Sequence, residues 1–191
     1  MITNIKKYPL WPEPQFSLTD LMMGSVPSIT EIEKFFEDIY PNTYAVLMPS
    51  GRSCISLILQ YLEIKRPDLV YIPPYSSHCV INTVGYVGTP SPELKDTMKA
   101  AICFHQWGYT HKLKTLSPII EDSVDSLITS AEALFPNDGR FELLSLSKIY
   151  SSISGGLILC QNQKDARKLR KSRNERQTYK FTHFFIRIMG K

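Results

Sequence analysis

The chain has 191 residues, 43% of them hydrophobic and 21% charged, with a formal net charge of +4; this is the profile of a single globular core, not of a disordered segment. No apolar run reaches the roughly 18 residues that span a bilayer, and the opening MITNIKKYPLWPEP lacks the core of a signal peptide, so the reading is a cytoplasmic protein. Charge is uneven: residues 164–191 carry ten Lys/Arg against two Asp/Glu, a net +8, while residues 1–163 carry twelve against sixteen, a net −4.

In chain order, residues 1–27 are rich in Pro and aromatics and read as an arm laid on a surface. SITEIEKFFEDIY follows, with Ser28 and Glu31 at capping-box spacing and Ile32, Phe35, Phe36 and Ile39 at helical spacing. YAVLM (44–48) predicts a buried strand, PSG a turn, and Ile55, Ile58, Leu59 and Leu62 a second helix. LVYI (69–72) predicts a strand stopped by Pro73 and Pro74, and Ser77 to Val87 a third helix. Four more apolar runs, 100–104, 118–122, 141–146 and 156–160, complete the strand set. Strands alternating with helical stripes imply a three-layer α/β/α domain with a mostly parallel sheet.

In such a sheet, ligands gather at the carboxyl ends of the strands. Three segments fall there. MPSGRSC places Gly51 and the amides of Arg52 and Ser53 at a helix start, which is either an anion cradle or an ordinary turn capped by Ser50. IIEDSVD ends a buried strand in carboxylates that face either a ligand or solvent. FELLSLSK sets Lys148 at a strand end, as a solvated charge or as an amine able to form a Schiff base. Together, a phosphate cradle, a carboxylate and a lysine are the three grips that pyridoxal 5'-phosphate needs.

The chain resembles the DegT-type sugar aminotransferases, fold-type-I pyridoxal-phosphate enzymes, over roughly residues 28–178. The segments that carry the likeness are YAVLMPSGRSC, DLVYIPPYSSHCVINTVGYVGTP, AAICFHQWG, IIEDSVDS and SLSKIYSSISGGLILC. The resemblance implies that Lys148 is the Schiff-base lysine and Asp122 the partner of the pyridine nitrogen. It implies that Gly51, Arg52 and Ser53 hold the phosphate through their amides, with Ser145 as a helper. Asp125 stands where the family has Gln or His. Ser77 occupies the place of the ring-stacking aromatic, for which Tyr75 or His78 are the substitutes, and ISGG (153–156) replaces the family's GEGG. The implied reaction moves an amino group from an amino acid such as glutamate onto a nucleotide-linked keto-sugar, in a homodimer.

The expected organisation is an arm at 1–27, a cofactor-binding domain at 28–163, and a basic helix with an aromatic end at 164–191, the family's second domain being absent. A non-catalytic relative that keeps the fold, with a basic tail that meets a partner or an anionic membrane, is the competing reading. Nucleic acid ranks last, because no aromatic-basic motif accompanies the tail. Cys54, Cys79, Cys103 and Cys160 form no CxxC pair, and His78, His105, His111 and His183 lack zinc-ligand spacing. No metal is expected, and no Gly-x-Ser-x-Gly or Walker sequence supports a hydrolase or nucleotide phosphatase.

Overall fold

Helix α1 (Ile29–Ile39) starts on a complete capping box. Glu31 N–H donates to Ser28 Oγ (3.2 Å), and Ser28 N–H donates to the Glu31 carboxylate (2.7 Å). In the computed structural model, which describes residues 27–106, 108–115, 117–149 and 154–176, strand β1 (Tyr44–Met48) and helix α2 (Gly51–Tyr61) follow. Next come β2 (Leu69–Tyr71), α3 (His78–Val87), β3 (Thr89–Ser91), β4 (Ala100–Gln106) and β5 (Ile119–Asp125). β6 (Phe141–Ser145), the one-turn α4 (Leu146–Ile149), β7 (Gly156–Cys160) and α5 (Gln163–Arg176) complete the order. The N-terminal arm and the aromatic end beyond Arg176 lie outside the described residues.

The seven strands form one sheet in the order β1-β7-β6-β5-β4-β2-β3. β7 runs antiparallel to both neighbours; the other pairings are parallel. Helices α2, α3 and α5 cover one face, with Cys54, Ile58, Leu59, Val84 and Leu169 packed on Val46, Ile102, Ile120, Leu143 and Ile158. On the other face, Phe36 of α1 and Tyr40 just after it join Ile128 and Leu134 over Ala45, Leu144, Leu157 and Leu159. The layers are those expected, with four local differences. β3 carries Pro90 and is an outermost strand, the place where a missing N–H costs least. β5 runs three residues past the predicted end, and the predicted strand at 141–146 gives way to α4 at Leu146.

The fourth difference, in α1, explains the charge pattern. Phe35 is 57% exposed and Ile39 39%, while Glu33, outside the predicted apolar stripe of α1, is buried. Glu33 and Glu37 accept the outward N–H groups of Leu47 (2.9 Å) and Ala45 (3.0 Å). Arg173 and Arg170 donate to the carbonyls of Leu47 (3.0 Å) and Ala45 (2.7 Å). Arg173 pairs with Glu33, and Arg170 with Glu37 at 2.6 Å. An edge strand with bare polar groups templates unwanted pairing; here acids from α1 and bases from α5 occupy those groups. The basic segment set apart at residue 164 therefore begins as a helix of the same core, with Ala166 and Leu169 buried.

Candidate cofactor site

The carboxyl ends of β1, β4, β5 and β6 open on one edge of the sheet. Ser50 caps α2 there: Ser53 N–H donates to Ser50 Oγ (3.2 Å), and the two hydroxyls lie 2.9 Å apart. The cap thus engages the Ser53 amide that the sequence assigns to an anion, leaving the amides of Gly51 and Arg52 at the helix start outside the helical ladder. At Gly51 a Cβ would lie 3.3 Å from Val124 Cγ1, a tight contact to which the valine side chain would have to yield. Gly156 is more constrained: its Cβ would lie 2.5 Å from the Ser50 carbonyl carbon and 2.7 Å from Gly51 N. The start of β7 is thereby pressed against the turn, in register with Met48 on one side and Ser145 on the other.

Lys148 and both aspartates meet at this edge. Lys148 Nζ lies 2.5 Å from Asp125 Oδ1. Asp122 is buried, and burial, reinforced by the neighbouring charge of Asp125, pushes its carboxyl up to about 7 against the opposing pull of the Val124 amide and Lys148. Its Oδ1 accepts from Val124 N–H (3.3 Å). Its Oδ2 is buried with no hydrogen-bond partner among the described residues. A buried carboxylate oxygen left this way lacks a proton or a cationic donor.

The other predicted residues are spread around this centre. Ser145 is buried at the end of β6, its hydroxyl 3.3 Å from that of Ser147. Tyr75 is 54% exposed, with its hydroxyl 3.2 Å from His111 Nε2 and its ring 6.5 Å from that of Phe104 at a 52° tilt. His78 is exposed at the first position of α3. Arg52 is exposed beside Ser53, Tyr86, Arg173 and Arg176 in a hollow between α2, α3 and α5.

Sequence reading missed a second cluster, on the opposite face of β5. His105 Nε2 meets Glu121 Oε2 at 2.8 Å. Glu121 also accepts from the N–H groups of Asn137 (2.9 Å) and Gly139 (3.0 Å) and from Asn137 Nδ2 (3.0 Å). Burial opposes its charge, yet the bonds from His105 and Asn137 prevail and hold its carboxyl below the ordinary range. The ligand-type atoms of Cys103, His105 and Glu121 lie within 4.8 Å of one another. They are already committed: Cys103 Sγ faces the His111 carbonyl (3.6 Å), and His105 Nδ1 accepts from His111 N–H (3.2 Å). The cluster is a polar joint that ties β4, β5 and two loops. Its signal was a lone Glu inside a buried apolar strand, which requires partners.

The sheet order, the reversed β7 and the lysine, aspartate and glycine turn on one edge define the large-domain fold of fold-type-I pyridoxal-phosphate enzymes. The family model described as "Putative PLP-dependent aminotransferase" matches residues 32–191, and the chain belongs to that family. No curated protein matches it in sequence. Among solved structures it resembles the aminotransferase from Psychrobacter cryohalolentis at 18% identity and TM-score 0.63, covering 84% of this chain and 51% of that one. It also resembles DesV of S. venezuelae, solved with a ketimine intermediate, at 18% identity and TM-score 0.63, covering 84% and 53%. A third is a GDP-4-keto-6-deoxymannose-3-dehydratase with a trapped PLP-glutamate geminal diamine, at 16% identity and TM-score 0.62, covering 85% and 54%. The chain thus spans about half the length of the structures it resembles. Among the described residues, no helix is long and apolar enough to cross a membrane.

The residues present fit pyridoxal phosphate. Asp122 Oδ2 is the kind of buried, unpartnered acceptor that a protonated ring nitrogen satisfies, and Gly51 and Gly156 keep side chains out of the turn at the α2 N-terminus.

Proposed function

We propose that the chain carries the cofactor-binding domain of an aminotransferase that acts on a keto-sugar, with an amino acid such as glutamate as donor. The observation that carries this reading is the buried, unpartnered oxygen of Asp122 next to the Lys148–Asp125 pair. Pyridoxal phosphate, when bound, supplies an aldehyde for amine capture and a ring that withdraws electrons from the captured amine. Asp122 would hold the ring nitrogen as a cation. The amides of Gly51 and Arg52, aligned with the positive end of α2, would hold the phosphate, with Ser145 alongside. Lys148 would anchor the aldehyde covalently and afterwards carry the proton between carbon and nitrogen. Tyr75 and His78 flank the same edge as candidates for covering the ring.

Support for the sugar comes from the dehydratase, which acts on a GDP-linked keto-deoxysugar; support for the donor comes from the glutamate held in it. Activity would be that of a homodimer, in keeping with the exposed Ile29 and Phe35 on α1 around an apolar groove. The test is direct. Added pyridoxal phosphate should produce an absorbance band near the visible region, and borohydride should fix the cofactor's mass to the peptide containing Lys148. Lys148→Ala should show neither. Conversion of bound cofactor to its amine form by glutamate then tests for the half-reaction. A chain that captures cofactor and fails this last step is the non-catalytic relative.

A further inference from the structure

The end of β5 is built differently from its middle. β4 and β5 stay in register from Ala101↔Ile119 to Phe104↔Asp122, and then the ladder slips so that Gln106 faces Asp125. One extra residue on β5 is a bulge, and bulges re-aim side chains. Strict alternation would send Asp125 to the face opposite Asp122, three residues earlier. Instead, Asp125 Oδ1 lies 2.5 Å from Lys148 Nζ, and both charges act on Asp122. Lys148 is 37% exposed and Asp125 17%, so the pair is more shielded than the surface ion pairs that contribute little.

Resting on the reading of Lys148 as the amine that captures the cofactor, we propose that Asp125 is a positioning residue. It holds the Lys148 ammonium before the cofactor arrives, and its charge opposes the proton loss that capture requires. In the capture step, Lys148–NH3⁺ and an aldehyde R–CHO give neutral Lys148–N=CHR, one water and one proton. The C=O bond breaks, the C=N bond forms, and the proton leaves past the Asp125 carboxylate to bulk water. The neutral product nitrogen has no N–H to donate, so the contact with Asp125 is lost on capture. Further ionisable groups acting on this cluster are Asp122 on β5, His105 on β4 and Cys54 on α2. A neutral residue at position 125 would leave the amine without that fixed negative charge. The aspartate therefore gives this chain its own pH dependence of loading.

The test uses the full chain with pyridoxal 5'-phosphate as probe. Capture is followed by absorbance, and by borohydride fixation with mass analysis of the Lys148 peptide, across about pH 5 to 9. Asp125→Asn should reach half-capture about one pH unit below the wild type, the scale on which a close opposite charge acts. Asp125→Glu, which keeps the charge, should follow the wild-type curve. A residue that only supports the fold would change the amplitude of capture and not its midpoint. Coincident wild-type and Asp125→Asn curves, or an Asp125→Glu curve displaced as far as that of Asp125→Asn, would overturn the proposal and leave Lys148 as the anchor. No adduct on Lys148 in any of the three proteins would overturn the cofactor reading and this inference together.

Discussion

Glu121 and Asp122 are consecutive residues of one buried strand, and they meet opposite fates. Glu121 points to the face where β4 and two loops supply His105, Asn137 and the amide of Gly139, and its charge is held by hydrogen bonds. Asp122 points to the face of α2, where one backbone amide reaches it and one oxygen has no partner among the described residues. Burial is near total for both, so burial does not separate a structural carboxylate from a ligand-binding one. Partner count does. A satisfied acid holds the fold, whereas an unsatisfied one stores a cost that a ligand can relieve.

Breaking the satisfied side should have the largest effect. Glu121→Ala leaves His105 and two backbone donors around an empty acceptor position, and urea denaturation should show a loss of about 3–5 kcal/mol. The unsatisfied side should respond with the opposite sign. Asp122 has a folded pKa of about 7 against 3.8 for the ordinary group, so the native state keeps a proton that the unfolded chain has lost. That stabilisation is fully present below about pH 4 and is lost as pH rises through about 7. Asp122→Asn should therefore stabilise the cofactor-free protein at pH 8 by about 2–4 kcal/mol, while weakening pyridoxal phosphate binding by about ten- to hundred-fold. Burial also raises Glu142, to about 8, with the same sign, so the fall in stability between pH 5 and pH 8 should flatten in Asp122→Asn without vanishing. An Asp122→Asn variant that is destabilised at pH 8 would break the comparison.

Gly156→Ala sharpens it from the backbone. The added methyl must displace the Ser50–Gly51 turn, at a cost of about 1–3 kcal/mol, and cofactor affinity should fall with it. The smallest effect is a control distant from the site edge. Tyr61 Oη donates to Asp165 Oδ1 at 2.6 Å, and Asp165 is held down to about 2, chiefly by Arg140. Tyr61→Phe should cost about 1 kcal/mol in denaturation and leave cofactor binding unchanged.

Helix and strand positions were readable because burial on one side repeats every 3.6 or 2 residues. α3, which begins just after Ser77, and β1 at 44–48 are where that rule places them. It failed at α1, where Phe35 turned outward and Glu33 inward, because the acid serves the bare edge of β1 together with Arg173. The acidic body and basic end of the chain were visible as composition. Their use as a clamp on one strand was not, since 140 residues separate Glu33 from Arg173.

The same division holds at the site. Sequence order and motif likeness alone singled out Gly51, Asp122 and Lys148, because turn, strand-end and loop chemistry are local properties. Only the fold decided that β7 runs backward against the Ser50–Gly51 turn. It also decided that a slip in the β4–β5 ladder brings Asp125 to Lys148, and that Glu121 has partners while Asp122 waits for one. Periodicity tells a residue which side of its own element it faces; what stands on that side is supplied by chain far away in sequence.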